Sequence, residues 1–192
     1  MSLADLKCVE SICTTNDCCW SLENKEILMI GKENCHEYKI YLKFELLPYF
    51  QIKVIQQAKL ILFKIPQIER ENQMDYYNGN NEYIIYPLLD FFSVYIGMYS
   101  EPRIVDELGI SFRNNGCCSY TEVDITDIVN AWYDENIEEK GLLLMGSGTA
   151  GTICYASDEY QWKGMRPILR LIYQENNFCQ AMSQAPCTVN IQ

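Results

Sequence analysis

The sequence predicts an all-β protein, an antiparallel sandwich or barrel with one short helix near residues 125–133. Three observations predict it. Apolar and polar residues alternate along much of the chain, and a period of two marks a strand with one face buried. Nine such segments follow one another through turn-rich gaps, the pattern of antiparallel strands and not of helical crossovers. A single segment carries helical periodicity.

The strands are taken in chain order. "EILMIG" (26–31) is short, apolar and ends in glycine. In "YKIYLKFEL" (38–46), Ile40, Leu42, Phe44 and Leu46 share one face, and Lys39, Tyr41, Lys43 and Glu45 share the other. "VIQQAKLILFKI" (54–65) puts Ala58, Leu60 and Leu62 together. "FFSVYIGMY" (91–99) does the same with Phe92, Val94, Ile96 and Met98. "ISFR" (110–113), "YTEVDI" (120–125), "GLLLMG" (141–146), "TICYAS" (152–157) and "PILRLIY" (167–173) complete the set. The expected inner face includes Leu42, Phe44, Leu60, Leu62, Val94, Ile128, Trp132, Leu142 and Leu171. Two polar stretches read as long loops, "PQIERENQMDYYNGNNEY" (66–83) and "SDEYQWKGMRP" (157–167), and "GSGTAG" (146–151) reads as a hairpin loop.

The helix comes from "DITDIVNAWYDENIEEK" (124–140). Ile125, Ile128, Val129 and Trp132 fall at i, i+3, i+4 and i+7, one face of about two turns. Asp124 caps the start and Asp127 lies in the first turn, where negative charge is favoured. Trp132 therefore points into the core. Asp134, Glu135, Glu138 and Glu139 read as a solvated exit turn, with an acid–base pair or a calcium site as the competing readings.

The chain has 192 residues and 48% hydrophobic content, enough for one domain with a sizeable core. Its net charge of −11 and the lack of any Lys/Arg block exclude nucleic acid and anionic lipid as partners. No apolar run reaches the roughly 18–20 residues of a membrane helix, and "MSLADLKCVE" lacks the basic and apolar regions of a signal peptide. The composition divides the chain into a Cys-containing N-terminal arm (1–19), a β-sandwich domain (20–175) and a C-terminal arm or linker start (176–192). Six of the ten cysteines fall in the arms: Cys8, Cys13, Cys18, Cys19, Cys179 and Cys187. They are thiols in a reducing compartment, disulfide staples within or between chains, or, as the least favoured reading, metal ligands. The vicinal pairs "NDCCW" and "NGCCS" do not have the C-x-x-C spacing of a metal or redox motif.

Three segments taken in order carry a resemblance: "LMIGKENCHEYKIYLKFEL", then "IQQAKLILF", then "VDITDIVNAWYDENIEEKGLLLMG" followed by "YASDE" and "RPILRLIY". This ordered set resembles the DNRLRE domain family, bacterial modules related to alginate-type carbohydrate-binding modules. The resemblance spans roughly residues 20–173, leaves 66–118 unmatched, and the six-letter string of the family's name is absent. It implies a jelly-roll-like two-sheet β-sandwich, carried as an accessory module on secreted, cell-surface or spore-surface proteins. Some members bind polysaccharide.

The residues argue against an enzyme. The chain has one histidine, His36, beside Cys35 in a turn, and adjacent turn residues rarely make a nucleophile–base pair. No G-x-S-x-G, H-E-x-x-H or P-loop occurs. No cofactor is expected, apart from a structural Ca²⁺ that the acids would allow. Binding is the better reading. Trp162 and Tyr160 in one polar loop, and Tyr76 and Tyr77 in another, offer flat faces to a sugar ring, with Asp158, Glu159 and Lys163 to bond its hydroxyls. The net charge favours a neutral glycan over an alginate-like polyanion. The competing reading is a structural surface or coat module whose Cys-rich arms cross-link or dock to a neighbouring surface protein.

Overall fold

The computed structural model describes residues 1–16, 25–33, 35–46, 53–65, 81–92, 101–114, 117–147 and 151–175. Among the described residues, ten strands and one α-helix follow in chain order: β1 (Ser2–Thr15), β2 (Ile27–Glu33), β3 (His36–Phe44), β4 (Lys53–Phe63), β5 (Glu82–Pro87), β6 (Ile110–Arg113), β7 (Tyr120–Asp124), α1 (Thr126–Tyr133), β8 (Gly141–Gly146), β9 (Gly151–Ala156) and β10 (Ile168–Glu175). Every strand pairing among them is antiparallel. The strands run β6-β5-β8-β3-β1-β10-β4-β7, and β2 pairs β3 on one side and β9 on the other. The network almost closes on itself. Lys64, just past β4, bridges Tyr155 of β9, and the Ile65 N–H donates to the Cys154 carbonyl at 2.9 Å. The domain is thus an all-β, nearly closed antiparallel sheet with one short helix, jelly-roll-like in general terms.

β1 corrects the reading of residues 1–19 as an arm. Its first half, Ser2–Lys7, pairs with Tyr173–Ile168 of β10. Its second half, Cys8–Thr15, pairs with Phe44–Tyr38 of β3, with a register shift between Cys8 and Glu10. The bulge lets one strand turn a corner and serve both neighbours. Residues 2–15 therefore belong to the sheet, and the domain does not begin at residue 20. β5 is a second strand that alternation did not single out; it runs between β6 and β8. The expected strand at 91–99 fails at its start. Leu89 to Phe92 form a loop, and 93–100, including Val94, lie outside the described residues. "GSGTAG" is no hairpin between neighbours, because β8 pairs β3 and β5 while β9 pairs β2.

The core follows the alternation elsewhere. Ile40, Leu42 and Phe44 of β3, Ala58, Leu60 and Leu62 of β4, Leu142 and Leu144 of β8, and Leu169 and Leu171 of β10 meet in one cluster. Tyr41, on the opposite face of β3, is also buried. Loop residues Leu88 and Phe92 and β8's Leu143 cover it as a second cluster, and the rings of Tyr41 and Phe92 stack at 5.3 Å. Burial pushes the Tyr41 hydroxyl well above its usual range.

α1 buries Ile128, Val129 and Trp132, with Ile125 just before it. Trp132 is 1% exposed. Hydrogen bonds tie the helix start to β4: Ile125 N–H donates to the Ala58 carbonyl (2.8 Å), and Ala58 N–H donates to Thr126 Oγ1 (2.9 Å). The Asp124 carboxylate accepts from the Thr126 N–H at 3.0 Å. At the other end, Lys140 Nζ donates to the carbonyls of Trp132 and Ile137, placing a cation where the helix dipole is negative.

Gly31 and Gly151 sit where β2 and β9 cross closely. Both have positive φ, 113° and 132°. A Cβ on Gly31 would lie 2.1 Å from the Gly151 carbonyl oxygen, inside van der Waals contact.

Candidate functional site

The β9–β10 loop, residues 157–167, holds most of the describable candidates. Its base is fixed by a chain of hydrogen bonds. Ser157 is fully buried, its N–H donates to the Glu26 carbonyl (2.9 Å), and its Oγ accepts from the Glu159 N–H (3.0 Å). Ser11 of β1 donates its hydroxyl to the Asp158 carboxylate and accepts from the Asp158 N–H at 3.2 Å. Farther along, Arg166 Nε donates to the Tyr160 carbonyl (2.9 Å). Cys8 N–H donates to the Pro167 carbonyl at 3.3 Å. Both ends of the loop are therefore held against β1, and Arg166 ties its middle.

On this base the Trp162 side chain stands out, 62% exposed. It begins a single 3-10 turn over Lys163–Met165, and its carbonyl accepts from the Met165 N–H at 2.9 Å. The Tyr160 ring, itself buried, meets the indole edge-on at 6.0 Å. Glu159, Gln161 and Lys163 are exposed on the same loop, and a Cβ on Gly164 would meet open space. The loop offers a flat apolar face with flanking hydrogen-bonding groups, an arrangement suited to a sugar ring.

The candidates thus divide. Trp162, Glu159 and Lys163 are presented to solvent together. Tyr160 is a buried support and not a contact surface. Asp158 is committed to Ser11. Tyr76 and Tyr77 lie outside the described residues. Ser11 is the clamp that pattern reasoning misses. Ser11 lies in β1, the strand read as an arm, so its partner could not be found.

The cysteine candidates divide too. Cys8 and Cys13 are buried thiols of β1, not arm residues. Burial pushes both up to about 12, so they stay protonated and poorly nucleophilic at neutral pH. Cys13 Sγ also lies 3.1 Å from the Met29 carbonyl. Cys18, Cys19, Cys179 and Cys187 lie outside the described residues.

Asp134, Glu135 and Glu138 are exposed, while Glu139 Oε1 lies 3.0 Å from Lys43 Nζ. Among the described residues no group of three or more His, Cys, Asp or Glu side chains is placed to hold a metal ion. No protein-family model matches the chain, and no curated protein matches it at a significant level.

Proposed function

We propose that this chain is a non-catalytic surface module that binds a neutral polysaccharide through Trp162. One observation carries the reading. A large indole stands 62% exposed on a loop that is itself tied down, instead of folding into the nearby interior. Exposed aromatics on fixed loops are where a rigid β-scaffold places its binding groups. Tyr160 holds the ring from the side, and Glu159 and Lys163 flank it with hydrogen-bonding groups. The fold reads as a two-sheet, jelly-roll-like sandwich with β1 shared between the sheets, and the ordered motifs support kinship with DNRLRE-type modules and a place outside the cell or on a cell or spore surface. The net charge of −11 works against a polyanion unless calcium bridges the contact.

A shallow stacking site gives weak affinity, roughly micromolar to millimolar, about −8 to −4 kcal/mol. A glycan array run with and without calcium tests the reading, with Trp162→Ala as control. Binding to a neutral glycan that vanishes in the variant supports it. An array without a hit, or hits that persist in the variant, sinks it. Turnover on a polysaccharide or ester panel, abolished by one acidic substitution in 124–139, would replace it with an enzyme.

A second reading, a structural module cross-linked to its neighbours, is favoured by one feature. Cys35, Cys117 and Cys118 are exposed thiols on the folded domain itself.

A further inference from the structure

Cys117 and Cys118 lie in the turn between β6 and β7, both exposed. The turn is fastened to the place where the sheet closes. The Lys64 N–H donates to the Ser119 carbonyl at 2.9 Å, and Lys64 is in turn bridged to Tyr155 of β9. The half-buried Lys64 side chain is within electrostatic reach of both sulfurs. Burial pulls its ammonium pKa down, while Cys118 and Cys117 push it up. Two adjacent, accessible sulfurs thus sit beside a cation whose backbone is locked to their own turn.

We propose that Cys117 and Cys118 form a surface thiol–disulfide exchange site that takes low-molecular-weight disulfides of the glutathione class and retains them as mixed disulfides. The step balances without any other reactant. One cysteine loses its proton to solvent, and its thiolate attacks one sulfur of the small disulfide. The old S–S bond breaks as the new one forms. The departing thiolate takes up a proton, so the cysteine is oxidised and half of the small disulfide is reduced. Negative charge spreads over three sulfurs as the bond transfers, and the Lys64 ammonium is within electrostatic reach of that charge.

Retention follows from the spacing. To expel the adduct, the neighbouring cysteine must close a ring across adjacent residues. Adjacent Cα atoms are about 3.8 Å apart across a trans peptide, short of the roughly 4.4–6.8 Å that a disulfide prefers. The ring is strained, so resolution is slow and the adduct persists. The site gives the domain a covalent attachment point on its own surface, independent of the Trp162 loop.

The test uses the whole folded chain and glutathione disulfide as the probe. Trypsin cuts after Arg113 and Lys140 to release 114–140, whose cysteines are Cys117 and Cys118 alone, and after Lys140 and Lys163 to release 141–163, which holds only the buried Cys154. The expected result is that 114–140 gains glutathione well before 141–163 does. Lys64→Gln slows the gain several-fold and Lys64→Arg restores it. Equal rates for the two peptides, indifference to Lys64→Gln, or accumulation of the Cys117–Cys118 ring in place of the adduct would overturn the proposal. Should Lys64→Gln not fold, the wild-type salt dependence decides. Added salt that slows modification of 114–140 supports it, and a rate indifferent to salt overturns it.

Discussion

The ring of Tyr160 meets the indole of Trp162 edge-on, with centroids 6.0 Å apart and planes at 83°. One partner is buried and the other is in solvent, so the pair joins the interior to the surface. The edge-to-face contact contributes about 0.5–1.5 kcal/mol beyond area burial, enough to orient the indole without hiding it. Trp162→Ala is expected to abolish glycan binding while moving the melting temperature by no more than about 2 °C, as exposed positions do. Tyr160→Ala should lower both. Calorimetry beside the array separates the two effects. A large fall in melting temperature for Trp162→Ala would make the indole a plug for the loop.

Trp132 is the opposite case. It is 1% exposed and packs from α1 into the main core. Trp132→Ala should cost about 3–5 kcal/mol through lost packing and the cavity it leaves. A urea titration reads this as a lower midpoint with little change in slope. An unchanged midpoint contradicts the placement of the ring.

Gly31 has no room for a side chain. Its φ of 113° is a conformation that L-residues rarely adopt, and the added Cβ would meet the Gly151 carbonyl. Gly31→Ala is therefore expected to destabilise by about 2 kcal/mol or more, combining backbone strain with the forced separation of β2 and β9. Gly164→Ala, where a Cβ meets open space, should be close to neutral. Thermal melts of the two variants side by side check the contrast.

Asp124 gives the acid limb a specific source. Burial tends to raise its pKa, but hydrogen bonds from Thr126 and Gln57 and the nearby Lys59 outweigh that, and the carboxyl ends below its usual range. In the unfolded chain it returns to about 3.9. The folded state therefore binds its proton less readily. Its stabilisation is full above pH ~4 and is lost as pH falls through the lower folded value. Asp124→Asn should flatten the fall of stability with acid below pH ~4. Asp5, held low chiefly by its hydrogen bond with Arg170, leaves a residual slope. Urea midpoints measured down a pH series read the difference, and identical acid limbs would refute the assignment.

Faces were legible in the sequence, and neighbours were not. β3 could be read because Ile40, Leu42 and Phe44 alternate with Lys39 and Lys43, and burying one face of a pleated strand requires that spacing. α1 could be read because Ile125, Ile128, Val129 and Trp132 repeat at the helical period. β1 could not. Its register shift between Cys8 and Glu10 breaks the alternation where the strand changes partners, and its cysteines suggest staples when they are in fact buried thiols. β5 is six residues long and follows an Asn-rich stretch; the loop reading of 66–83 takes in its first two residues, and the alternation of Tyr83, Ile85 and Pro87 is too short to stand out. The exposed Trp162 was legible as an aromatic in a polar loop, but the groups that fix the loop were not. Ser11 and Asp158 lie 147 residues apart, and the Lys64 backbone holds a turn from another part of the chain. The sequence by itself determined which side of each regular element is apolar, because local periodicity must match local geometry. Only the tertiary structure decided which strands lie side by side and which side chains those pairings bring together, because such partners are chosen by long-range complementarity that no single segment contains.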